Sequence, residues 1–182
     1  MNKIKIIALF GKSGAGKDFI QKKLMEMYDF HKIVSCTTRP KRDYEEEGKD
    51  YFFVDNIEFS KKVLNGDMLE ATCFREWFYG TPIQGLDENK INVGVFNIEG
   101  IETLKEDSRI EVYPVYVTAT DKVRLIRQLE REHTPDCAEI CRRFQTDEKD
   151  FAFIDFPYDE YSNMGLDLDF RELRALVDNL IQ

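Results

Sequence analysis

Gly11-Lys12-Ser13-Gly14-Ala15-Gly16-Lys17-Asp18 carries the clearest chemistry in the chain. Glycines at this spacing let consecutive backbone N–H groups converge on an anion, and a lysine placed like Lys17 reaches the outer phosphates of a polyphosphate. An apolar run, Ile4 to Phe10, precedes the loop, and Ile20, Leu24, Met25 and Tyr28 follow it at helical spacing. Strand, glycine loop and helix in that order bring the positive end of the helix dipole to the same anion. The expected ligand is a nucleoside triphosphate, bound by Gly11, Ser13, Gly14, Ala15, Gly16, Lys17 and Asp18.

Asp18 departs from the usual pattern, in which a Ser or Thr after the lysine coordinates Mg²⁺ through its hydroxyl. A carboxylate is a hard-ion ligand, so Asp18 is a candidate to hold Mg²⁺ itself. It also costs Coulomb energy beside phosphates unless the cation lies between them. Its other reading is a favourable charge in the first turn of the helix.

The bulk properties narrow the field. At 182 residues, 42% of them hydrophobic, the chain is long enough for one domain with a sizeable core. A net charge of −9 argues against a nucleic-acid partner, whose backbone calls for a basic face. Cys36, Cys73, Cys137 and Cys141 include no C-x-x-C pair, and Ile4 to Phe10 is too short for a signal peptide or membrane span. A cytoplasmic protein with reduced thiols is expected, with no membrane partner and as a monomer or homodimer.

Along the chain, Lys32 to Ser35 reads as a short strand and Thr37 to Gly48 as a polar loop whose arginines face the acidic run Asp43 to Glu47. Tyr51 to Val54 reads as a strand, and Asp55 with Glu58 caps a helix that stops near Gly66. Met68 to Phe74 and Phe78 to Thr81 read as further strands. Val93 to Ile98, a helix from about Gly100 to Asp107, and Glu111 to Val117 resume an alternation that implies a parallel sheet. Val123, Ile126 and Leu129 mark a helix running into a charged stretch broken by Pro135, and Asp169 with Glu172 caps a final helix striped by Phe170, Leu173, Leu176 and Val177.

A second constellation then takes on meaning. Ser35-Cys36-Thr37-Thr38-Arg39-Pro40-Lys41-Arg42, Gly48 to Val54, Glu70 and Tyr79-Gly80-Thr81-Pro82, together with the glycine loop, resemble the guanylate kinase family in order and spacing over most of the chain. The resemblance implies an α/β fold: a P-loop NTPase-type parallel sheet core flanked by helices (about 1–34, 82–125 and 151–182), a small β-rich nucleoside-monophosphate-binding insertion (about 35–81) and a helical lid (about 126–150). It implies transfer of the γ-phosphoryl of ATP, with Mg²⁺, to GMP or dGMP.

It also implies roles. A monophosphate carries about two charges and calls for fork-shaped guanidinium donors; Arg39, Arg42, Tyr51 and Tyr79 match the family's phosphate-holding positions. Guanine presents two donors side by side, N1–H and an amino group, which one carboxylate can accept; Glu70 matches that carboxylate, and Ser35 and Thr81 the hydroxyls at the base. Arg143 matches a lid arginine. The other lid arginine falls at Glu132 in an ungapped alignment, one residue after Arg131, so either the helix end shifts or Arg127, Arg131 or Arg142 takes its part. Asn163 matches a late asparagine near the adenine. Asn97 stands where the family has a carboxylate, leaving Glu99 to supply acidity on the GMP side. Two rivals stand beside this reading: a kinase for another, deoxy or modified, nucleoside monophosphate, and a non-catalytic guanylate-kinase-like domain that binds proteins. The intact Gly11, Gly16 and Lys17 argue against the second.

Overall fold

A computed structural model describes residues 3–42, 45–74, 76–131, 133–165 and 169–181, so Asp43, Tyr44 and Glu132 lie outside the described residues. The centre is a parallel sheet in the order β2 (His31–Lys32), β7 (Asn92–Val95), β1 (Ile4–Phe10), β8 (Ile110–Thr118), β9 (Asp159–Ser162). β1 is apolar throughout because both faces of the sheet are covered. Ile7 and Leu9 pack with Ile20 and Leu24 of helix α1 (Lys17–Met27) and Leu173 and Val177 of α6 (Arg171–Leu180); Ile6, Ala8 and Phe10 pack with Ile101 and Leu104 of α3 (Ile98–Glu106).

A second sheet, β4 (Phe52–Phe53), β3 (Cys36–Thr37), β6 (Trp77–Pro82) and β5 (Met68–Phe74), carries α2 (Asn56–Leu64). Asp55 caps α2 by accepting the N–H of Glu58 at 2.8 Å. Of the strand expected over Lys32 to Ser35 only Lys32 lies in one, at the end of β2 in the central sheet, and Ile33 to Ser35 lead on to β3 in the second. The chain changes sheets between them.

Three expectations need correction. First, β9 was unforeseen: only Tyr161 of Asp-Glu-Tyr-Ser is buried, so this edge strand carries no apolar pattern. Second, the N-cap position of α6 is held by Phe170, whose side chain makes no capping hydrogen bond. Phe170 takes a left-handed conformation (φ 52°) with its ring 6.0 Å from that of Phe19, while Asp169 pairs with Arg171. Third, α4 (Asp121–Glu130) turns its apolar residues outward. Arg124 and Gln128 are 1% and 4% exposed, against 41% for Ile126 and 37% for Leu129. The charged stretch beyond it resolves into α5 (Cys137–Asp150), which begins after Pro135 with Asp136 as its cap. Among the described residues, no helix is long and apolar enough to cross a membrane.

Candidate active site

The glycine loop joins the C-terminal end of β1 to α1, the position at which open parallel sheets bind ligands. Glycine is required here by geometry. Gly14 (φ 80°) and Gly16 (φ 91°) lie in the left-handed region, and a Cβ would come within 2.6 Å of the Arg124 carbonyl oxygen at the first and 2.4 Å of the Asn163 amide nitrogen at the second. Lys17 folds back to donate to the carbonyls of Gly11 (2.8 Å) and Lys12 (3.4 Å). Burial lowers the pKa of its ammonium, opposed by the charges of Asp18 and Asp147. Asp18 is exposed in the first turn of α1.

Side chains from distant segments support the loop. Asn163 Nδ2 and Arg127 Nη1 donate to the Ala15 carbonyl at 2.8 and 3.1 Å, and Arg127 Nη2 donates to the Asn163 carbonyl. Arg124 Nε and Gln128 Nε2 donate to the Ser13 carbonyl. A tight loop leaves carbonyls without secondary-structure partners, and these donors meet them. That need explains the inverted burial of α4.

Across a cleft of about 880 Å³ from Lys17 stand Glu70, Tyr51, Tyr79 and Ser35 of the smaller sheet. Glu70 is buried, and burial raises its carboxyl to about 7 despite hydrogen bonds from the hydroxyl and backbone N–H of Thr81; the charge of Glu99 adds to the rise. With its own hydroxyl donated to Glu70, Thr81 accepts that of Ser35 at 3.4 Å. Ser35, Thr81 and Glu70 form one polar chain. The rings of Tyr51 and Tyr79 meet edge to face, with centroids 6.1 Å apart. Burial raises the Tyr51 phenol, and the charge of Asp18 raises it further, which sets Asp18 within electrostatic reach of this wall.

Arg39 and Arg42 are not on the cleft wall. Glu45 accepts from Arg39 Nη1 and Nη2 at 3.0 and 2.7 Å and from the Arg42 backbone N–H at 2.8 Å, with Arg42 Nη1 at 3.7 Å. The balancing acidic residue is therefore buried with Arg39, not solvated. The Arg39 guanidinium lies 5.4 Å from the centre of the Tyr51 ring, so it meets the cleft through that phenol. Glu99 reaches the cleft from α3. Asn97 caps α3 by accepting the Gly100 N–H at 2.8 Å and donates to the Thr72 hydroxyl at 3.0 Å, tying the helix to β5.

From α5, Arg142 lines the cleft, and Glu139 accepts from both Arg142 and Arg143. These contacts, that of Arg142 first, hold the Glu139 carboxyl down at about 2. Arg131, at the end of α4, is close enough for its charge to depress Lys17. Arg124, Gln128 and Asp147 were not legible in the sequence as part of the site. A polar residue set among Val123, Leu125, Ile126 and Leu129 reads as the solvent face of its helix.

A glycine loop at the end of a parallel strand, facing a carboxylate pocket on a separate small sheet, defines a phosphate-loop kinase of nucleoside monophosphates. The model of the guanylate kinase family matches residues 3–176. The guanylate kinase of Thermotoga maritima is 33% identical over 156 residues, 82% of this chain and 74% of that one. That of Latilactobacillus sakei is 32% identical over 150 residues, 79% and 73% of the two chains. The crystal structure of guanylate kinase from Anaplasma phagocytophilum superposes with a TM-score of 0.68 at 22% identity, covering 100% of this chain and 86% of that one. The chain belongs to the guanylate kinase family, and the reaction that membership assigns to it is phosphoryl transfer from ATP to GMP.

Proposed function

We propose that ATP lies with its phosphates in the loop Gly11 to Asp18, that GMP or dGMP lies with its base on Glu70, and that the γ-phosphoryl crosses the cleft between them. The observation that carries this reading is the shared cleft, with Lys17 on one wall and Glu70, Tyr51 and Tyr79 on the other. No side chain acts as a nucleophile. The acceptor phosphate oxygen attacks the γ-phosphorus in line, and the bridging oxygen departs with ADP. The protein aligns two anions and neutralises the charge between them.

Glu70 accepts N1–H and the amino group of guanine, and Ser35 and Thr81 hold its carboxylate in place. Tyr51 and Tyr79 take the acceptor phosphate from the cleft wall, and Arg39, held by Glu45 together with Arg42, supports them from behind through the Tyr51 ring. Lys17 and the loop amides hold the β- and γ-phosphates, and Arg131, Arg142 and Arg143 approach from the lid. Asn163 serves the ATP side through its hold on Ala15. Mg²⁺ suits this donor set: Asp18 is an exposed carboxylate within electrostatic reach of both Lys17 and Tyr51, and it would hold the ion. When bound, Mg²⁺ supplies positive charge to the transferring phosphoryl. A cytoplasmic setting agrees with the absence of a disulfide among the described residues.

Two experiments probe the two walls. Only the ionised Glu70 accepts both guanine donors, so KM for GMP should fall as pH rises through about 7, by up to about tenfold per pH unit on the acid side. Glu70→Gln should flatten that dependence, and a KM indifferent to pH in the parent would remove Glu70 from base recognition. On the other wall, Asp18→Ser should shift the Mg²⁺ concentration for half-maximal rate. An unchanged metal dependence would leave Asp18 only its place in the helix turn.

A further inference from the structure

The geometry points to Arg124 and Asp147 as positioning residues for ATP, a buried latch through which the lid helix α5 sets the phosphate loop. This rests on reading Gly11 to Asp18 as the ATP cradle. The two side chains are 1% and 4% exposed, and Arg124 Nη2 meets Asp147 Oδ2 at 2.5 Å. A buried ion pair is seldom the most stable filling for such a space, and apolar residues of similar volume often serve as well or better. Its presence calls for an explanation beyond packing, and its contacts supply one.

Both backbone groups of a single loop residue end on this pair. Asp147 Oδ2 accepts the N–H of Ser13 at 2.8 Å, Asp147 Oδ1 accepts its hydroxyl at 3.2 Å, and Arg124 Nε donates to its carbonyl at 2.9 Å. The remaining Arg124 nitrogen, Nη1, donates to Asp121 at 2.6 Å, and the guanidinium lies 4.4 Å from the centre of the Phe144 ring. A lysine could not reproduce this fork. Beside it, Lys12 pairs with Glu148 at 2.5 Å, so adjacent residues of α5 hold adjacent residues of the loop.

The peptide planes at Ser13 are thus fixed from outside the loop, immediately before Gly14 to Lys17. An anion site whose donors are already oriented loses little on binding and stabilises charge more effectively. The same contact fixes the lid. Arg143 lies one turn before Asp147 on the same helix face, so seating Asp147 on Ser13 sets the height of the lid arginines over the phosphates. The monophosphate wall, on the other sheet, shares none of these contacts.

The test compares kcat, KM for ATP and KM for GMP, each per folded molecule, in Arg124→Lys, Asp147→Asn and the double variant Arg124→Met with Asp147→Leu. The double variant leaves no unpaired ion in the interior, so it carries the test if a single variant fails to fold. Raised KM for ATP by about tenfold, lowered kcat and a KM for GMP within about twofold of the parent are expected. Arg124→Lys should share the effect on ATP although it keeps the charge. A folded double variant with parental kcat and KM for ATP, altered only in melting temperature, would show that the pair merely packs. A parent that turns over no ATP and GMP would instead overturn the reading of the loop itself.

Discussion

Replacing Lys17 with Ala should lower kcat by about 10³-fold, which is about 4 kcal/mol of transition-state stabilisation, while GMP still binds. The ammonium stands at the joint between loop and α1, held by the Gly11 and Lys12 carbonyls and facing the cleft. Two carbonyls are weaker partners for it than a phosphate that gains charge during transfer. The loss therefore falls on the chemical step more than on the ground state. Equilibrium titration of GMP separates the alternatives. GMP binding lost together with turnover would mean that the loop had collapsed, and a kcat near that of the parent would reduce Lys17 to a brace for the loop.

Glu70→Ala should raise KM for GMP by about 10²-fold, since it removes the acceptor of two charge-assisted hydrogen bonds, each worth about 1.5–3 kcal/mol. Discrimination against AMP should fall with it, because the wild-type carboxylate faces the acceptor nitrogen of adenine and is left unpaired by that base. The same residue should show a trade of stability for function. Its carboxyl titrates at about 7 in the fold, against an ordinary 4.5, so ionising it in place costs about 3 kcal/mol. A folded value above the unfolded one means that stability declines as pH rises from about 4.5 to about 7 and is level beyond. Glu70→Gln keeps an oxygen for Thr81 without the charge. It should raise the melting temperature by several degrees at about pH 8 and by little at about pH 5. A melting temperature lowered at both would contradict a carboxylate ionised at the cost of stability.

The parts of this protein that were legible in its sequence are those where one physical demand sets the residues. β1 is read from Ile4 to Phe10 because a strand covered on both faces must be apolar throughout. Asp55 and Glu58 give the start of α2 because its first N–H groups need an acceptor. The loop is read because glycine alone suits its backbone. Elements answering to a neighbour distant in sequence were not legible. α4 hides Arg124 and Gln128 because the carbonyl of Ser13, more than a hundred positions earlier, lacks a donor. Phe170 takes the place of the expected Asp169 cap because its ring meets Phe19. Arg39 could be named as a phosphate holder by resemblance, but its buried pairing with Glu45 depended on how an intervening loop folds.

A coupled assay of ADP formation with ATP and, in turn, GMP, dGMP, AMP, CMP, UMP and dTMP bears most directly on two anion sites that share one cleft under a base-reading carboxylate. Turnover with GMP and dGMP should exceed that with the other four by at least about 10²-fold in kcat/KM. Equal or greater turnover with a pyrimidine or with AMP would contradict the role given to Glu70.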